Sequence, residues 1–162
     1  MLFRSYMAKY RLLTREELSE FKKEFIDYLV VNGLTAEDWE KIKIDSPEKA
    51  NKMLELFSDV VFEGVLRKVT FLDFKSKSSI KSFQCLEDKI VLVGIDTNNE
   101  SLNLLDVKEV SSFVEKPPKG LSVYTSEKQY SKGREKELFS MISSGCEIAD
   151  GSLFKSLCLA LT

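Results

Sequence analysis

An α+β fold is predicted, on three observations. Residues 14–66 carry apolar side chains at helical spacing behind capping signals. Residues 68–95 switch to the β-branched and aromatic content of strands. Residues 133–161 return to helical spacing. N-terminal helices and a C-terminal helical segment are expected to pack on one face of a small antiparallel sheet built from residues 68–95.

Thr14 and Glu17 form a capping box, the hydroxyl and the carboxylate each satisfying a backbone N–H at the helix start. Leu18, Phe21, Phe25 and Leu29 follow at helical spacing, and Asn32-Gly33 supplies the stop, giving one helix of about four to five turns. Thr35 and Asp38 repeat the cap for a short helix carrying Trp39 and Ile42. Ser46-Pro47 opens a third, with Met53, Leu56, Phe57, Val60 and Val61 as its stripe, running to about Leu66.

Val69 to Phe74 and Ile80 to Cys85 read as extended, Glu87-Asp88 as a turn, and Ile90 to Ile95 as the clearest strand. The last two segments form a hairpin. Residues 101–114 have no clean period and are expected to add an edge strand. Lys116 to Gly120, with two prolines, breaks regular structure. Gly133 to Ser144 reads as a helix with Leu138, Met141 and Ile142 on one face, ended by Gly145. Ser152 is the expected cap of a last helix, in which Leu153, Phe154, Leu157, Cys158 and Leu161 form a wide apolar face. Packing of that face within its own chain is favoured over packing against a second copy.

The 162 residues fit a single domain, 1–162, in which 1–6 precede a second methionine, Met7, and read as an extension. The apolar fraction of 43% and charged fraction of 31% are those of a globular chain. No apolar run reaches the ~20 residues of a membrane-spanning helix, and the N-terminus lacks a secretory signal. No membrane is therefore expected as a partner. Cys85, Cys146 and Cys158 are odd in number and far apart, which points to reduced, metal-free thiols in the cytoplasm.

The chain contains no histidine, which removes histidine-dependent triads and the commonest transition-metal ligand. Its seven glycines stand singly, so no phosphate-cradling loop is present. No catalytic residue, metal ligand or cofactor is assigned. Asp27, Asp59 and Asp73 lie near apolar positions and are the candidate carboxylates for acid–base work; paired or solvated side chains are the plainer reading. Trp39 is the only tryptophan, a core cover first and a binding anchor second.

One local feature has ligand logic. The net charge is −2, yet residues 67–89 hold six basic and three acidic side chains, a net of +3. Lys75, Lys77 and Lys81 interleave with serines between Phe71, Phe74 and Phe83, an arrangement able to contact phosphates and stack bases. No RNA-recognition signature accompanies it, and a lysine-rich edge also blocks strand aggregation. Residues 75–82 are expected to form an exposed basic connection.

The stretches Leu34 to Lys43 and Leu54 to Glu63, then Phe83 to Cys85, Ile90 to Gly94, and Glu137 to Gly151, resemble a family of small bacterial proteins of unknown function, loosely associated with Bacteroidetes. The resemblance covers the chain from about Met7 and implies a bacterial, cytoplasmic protein; it carries no active site. The leading expectation is a non-enzymatic module binding another protein or itself. The alternative is a binder of nucleic acid or another anionic ligand through residues 75–82, and a carboxylate-based enzyme comes third. Possible contact residues are Lys75, Lys77, Lys81 and Trp39.

Overall fold

Thr14 and Thr35 start their helices as the sequence predicts. In the computed structural model, which describes residues 8–106, 116 and 118–161, the Thr14 hydroxyl accepts the Glu17 N–H at 3.2 Å and the Glu17 carboxylate takes the Thr14 N–H at 2.9 Å. Thr35 and Asp38 do the same at 3.1 and 2.9 Å. The chain falls into two compact units, Met1–Val65 and Leu66–Thr162.

The first unit is helical. The expected first helix is two: α1 (Arg15–Glu20) and α2 (Lys22–Val31), with Phe21 between them at φ −101°, ψ 23°. The Phe21 N–H is shared between the Glu17 and Leu18 carbonyls, both at 3.2 Å, a local tightening toward 3-10 geometry. α3 (Ala36–Asp45) and α4 (Pro47–Lys68) follow, α4 continuing two residues past the expected end. Phe25 and Leu29 of α2 and Phe57 of α4 form the core, with Trp39, Leu18, Phe21 and Met53 packed against them. Phe25 meets Trp39 and Phe57 edge-on, each at 5.0 Å between ring centroids. Residues 9–13 are strapped along α4. The Asp59 carboxylate accepts the Lys9 N–H at 2.9 Å and the Tyr10 N–H at 3.3 Å, and Ser58 Oγ accepts the Leu13 N–H at 3.0 Å. Glu63 adds bonds from Lys9 Nζ and from the Tyr10 hydroxyl.

The second unit is a five-stranded antiparallel sheet with two helices. Its strands are β1 (Phe71–Lys75), β2 (Ser79–Cys85), β3 (Lys89–Thr97), β4 (Leu121–Gln129) and β5 (Glu147–Ala149), in the spatial order β4-β3-β2-β1-β5. The β2–β3 hairpin turns at Glu87-Asp88 as expected, with Leu86 N–H on the Lys89 carbonyl at 3.0 Å. The sheet extends beyond residues 68–95, because β4 and β5 pair on its two outer sides. Residues 75–82 are not simply a connection: only Ser76 to Ser78 turn, and Ser79 onward belongs to β2, where Ile80 and Ser82 are buried. The edge strand expected over 101–114 is a single 3-10 turn at Leu104–Asp106 where described. Residues 107–114 and the 1–6 extension lie outside the described residues.

Side chains alternate across a strand, so β2 sends Ile80, Ser82 and Gln84 to one face and Lys81, Phe83 and Cys85 to the other. Helix α6 (Ser152–Ala160) covers the first face. There Phe154 and Leu157 join Ile80, Val93, Ile95 and Leu104 in one cluster, with Phe71 and Leu153 against it. Helix α5 (Arg134–Ser143) lies on the second face, so the helices of this unit occupy both faces where the sequence reading placed them on one. Ser152 is not the cap of α6. That position falls to Gly151 in the left-handed conformation, and the Asp150 carboxylate takes the Ser152 N–H at 2.9 Å. A Cβ at position 151 would lie 2.5 Å from the Phe71 ring, so glycine is required twice over, by φ and by space.

Candidate functional site

On the second face, β1 and β2 place Phe74, Lys81 and Phe83 side by side, Phe74 and Lys81 being direct register partners. Across from them stand Glu137, Ser140 and Met141 of α5 and Ser144, the residue that caps its C-terminal end. These four positions follow the three-and-four spacing of one helical stripe. A stripe facing a sheet is usually filled by large apolar side chains. Here two of its four members are serines, and the missing volume is an open cleft of about 390 Å³. Lys128 of β4 and Cys146, just before β5, complete the lining.

The charges in the cleft are unequal. Lys128 pairs with Glu137 at 2.7 Å, and the second Glu137 oxygen accepts the Ser131 N–H at 3.2 Å, so this carboxylate is fully engaged. Lys81 is half-buried and, among the described residues, has no carboxylate within ion-pair distance. Among the described residues it is the one charge of the lining without an ion-pair partner. Phe74, Phe83 and Met141 give the apolar walls.

The thiols near the cleft are poor nucleophiles. Burial pushes the Cys146 thiol up, with Lys81 opposing and Asp73 adding to the shift. Burial also drives Cys85 to about 11, against the Arg134 charge. Thiolate chemistry requires the reverse. None of the three cysteines is in a disulfide, and among the described residues no three histidine, cysteine, aspartate or glutamate side chains gather as a metal site.

Arg134 anchors the start of α5, the helix that lines one side of the cleft. Its guanidinium donates to the carbonyls of Leu66 at 2.9 Å, Leu86 at 3.1 Å and Cys85 at 3.2 Å, and also to Val69. One side chain thus ties the end of α4, the lead into β1 and the β2–β3 turn to the start of α5.

The residues singled out in the sequence separate. Lys81 lies in the cleft. Lys75 pairs with Ile80 and so belongs to the opposite face at the end of β1, exposed. Lys77 is exposed at the hairpin tip, its carbonyl accepting the Leu104 N–H at 2.9 Å. Trp39 belongs to the first unit, half-buried against Phe25. Of the carboxylates, Asp27 is exposed, Asp59 holds the strap, and Asp73 accepts the Ser82 hydroxyl at 2.6 Å. Sequence reasoning missed Lys128, Glu137, Ser140, Ser144 and the cleft role of Cys146. The available signal was the pair of serines, Ser140 and Ser144, spaced one helical turn apart on the side that carries Met141.

Among the described residues no helix is long and apolar enough to cross a membrane. Residues 7–162 match the model of a family described as a family of unknown function, DUF6495. No curated protein matches the sequence, and no solved structure does.

Proposed function

The chain belongs to the DUF6495 family of unknown function, and from its own geometry we propose that it is a non-enzymatic binding module whose cleft between β2 and α5 captures an anionic ligand through Lys81. The observation that carries this is Lys81, unpaired among the described residues and set with Phe74, Phe83 and Met141 in a 390 Å³ cleft. Small-molecule sites share this make-up: an apolar lining and few, well-placed polar groups. An ammonium without a carboxylate partner, at the edge of an apolar cleft, gains a charge-assisted bond from an anion supplied by a ligand. The setting we propose is the bacterial cytoplasm, in keeping with free thiols.

Native mass spectrometry of gently purified protein tests the proposal. A small non-covalent ligand is expected on the wild type and absent from Lys81→Met. A protein that stays bare, and takes up none of a panel of anionic small molecules, contradicts it.

Nucleic acid is the weaker form of the same idea. Lys75 and Lys81 leave opposite faces of the sheet, so the segment does not offer the continuous basic track that a phosphate backbone follows. A second reading, binding of a protein partner or self-association, rests on α2. Ile26 and Val30, one turn apart, are 43% and 64% exposed, and Val31 is 85% exposed. Light scattering over a range of concentrations tests the self-association form. A mass that stays monomeric throughout removes it.

A further inference from the structure

We infer that the ligand of this cleft is a monocarboxylate with a flat apolar body, an aromatic or short-chain organic acid, and not a phosphate. The inference rests on the proposal that the cleft binds a ligand at all.

The charge of the lining suits a monoanion. Lys128 and Glu137 cancel, leaving Lys81 as a single positive charge. One ammonium matches one carboxylate. A phosphate dianion would bring a second charge for which the lining holds no second free cation.

The nearby helix end disfavours a dianion. Ser140 and Met141 belong to the last turn of α5, which ends at Ser143, and Ser144 is the residue that caps it. Helix C-termini carry partial negative charge and disfavour anions, the more so a dianion. Phosphates are commonly cradled by free backbone N–H groups at helix N-termini or in nests. In this cleft those N–H groups are already used. The Ser144 N–H donates to the Ser140 carbonyl at 3.0 Å, that of Gly145 to Ile142 at 3.1 Å and that of Cys146 to Met141 at 3.0 Å.

Shape points the same way. Phe74, Phe83 and Met141 surround Lys81 with surfaces suited to a planar or short aliphatic group, and sulfur–aromatic contact favours a ring beside Met141. The Ser140 and Ser144 hydroxyls, one turn apart, can donate to oxygens of the same ligand.

Isothermal titration calorimetry on the full chain tests this with three probes: 3-phenylpropionate, the neutral 3-phenylpropan-1-ol, and inorganic phosphate. The acid is expected to bind with unit stoichiometry, and the alcohol and phosphate about tenfold or more weaker. Lys81→Met should lower affinity for the acid about tenfold or more and erase its advantage over the alcohol. Lys81→Arg, which keeps the charge, should retain most of it, and circular dichroism verifies that each variant is folded. Ser140→Leu, filling the cleft, should weaken acid and alcohol alike. Equal binding of acid and alcohol, unchanged in Lys81→Met, overturns the carboxylate inference and leaves the cleft as a binding site. Tighter binding of phosphate overturns it in the same way. Absence of binding by all three probes overturns the inference together with the proposal beneath it.

Discussion

Tyr124 lies across Gly94. The two are register partners on β4 and β3, and a Cβ added to Gly94 would come within 2.6 Å of the tyrosine ring. The missing side chain lets the ring reach over the strand, where its hydroxyl approaches Asp96 at 3.3 Å. Gly94→Ala should destabilise by about 1–2 kcal/mol, since the ring end must swing away. In a Tyr124→Ala background the same change should be neutral or stabilising, because alanine orders a strand at lower entropic cost than glycine. Urea denaturation of the four proteins decides it; equal costs in both backgrounds would show that the ring is not the cause.

Arg134 is expected to be among the costliest positions in the second unit. Its side chain, 13% exposed, serves four backbone carbonyls from three segments. Arg134→Met would strip its bonds from the Val69 and Cys85 carbonyls, while Leu66 keeps the Val69 N–H and Leu86 the Tyr130 hydroxyl, and should cost about 2–4 kcal/mol. Arg134→Lys should recover less than half, because one ammonium cannot reproduce the planar fork. Chemical denaturation midpoints provide the measure, and a methionine variant within about 1 kcal/mol of wild type would show the clamp to be dispensable.

Glu17 should shape the acid limb of the stability curve. The Arg11 side chain, then the Thr14 backbone N–H, hold its carboxyl at about 2, below the usual glutamate range. A carboxylate depressed in the folded state stabilises above its unfolded value and loses that contribution as pH falls toward the folded one. The loss is therefore expected between about pH 5 and pH 2. Because the pair is partly exposed, 46% and 34% for the two side chains, the contribution should stay below about 1 kcal/mol. Glu17→Gln should flatten the curve in that window. Thermal midpoints from pH 7 to 2 that fall in parallel for both proteins would count against it.

Leu157 and Leu159 sit two positions apart on α6 with opposite fates, the first fully buried and the second 73% exposed. Leu157→Ala should cost about 2–5 kcal/mol. Leu159→Ala should stay within about 0.5 kcal/mol. If the two variants melt together, α6 does not turn Leu157 toward the sheet and Leu159 toward solvent.

Local chemistry made much of the fold legible in advance. The boxes at Thr14–Glu17 and Thr35–Asp38 read correctly because both partners sit within one turn of each other. The turn at Glu87-Asp88 read correctly because its flanking strands are apolar and adjacent. β4 was missed because, paired on one side only, it is polar at Ser122, Ser126, Glu127 and Lys128 and mostly exposed. β5 was missed because three residues carry no period and their partner is far away in sequence. For the cleft, Phe74, Lys81 and Phe83 were visible as a cluster. Ser140 and Ser144 were not, because small polar residues on a helix read as solvated until the surface opposite them is known.

The position of β5 sets an order of events for folding. The meander of β1, β2 and β3 closes through two tight turns and has little loop entropy to overcome. The outer edge of β1 has no such local partner. It pairs only when Glu147–Ala149 returns to Phe71–Asp73, and the apolar layer of Ile80, Val93 and Ile95 waits for α6, which follows directly. Until then a folding chain carries an open strand edge beside an uncovered apolar face, the combination most prone to intermolecular pairing. Docking of residues 147–160 is accordingly the step at which refolding yield should depend most steeply on protein concentration.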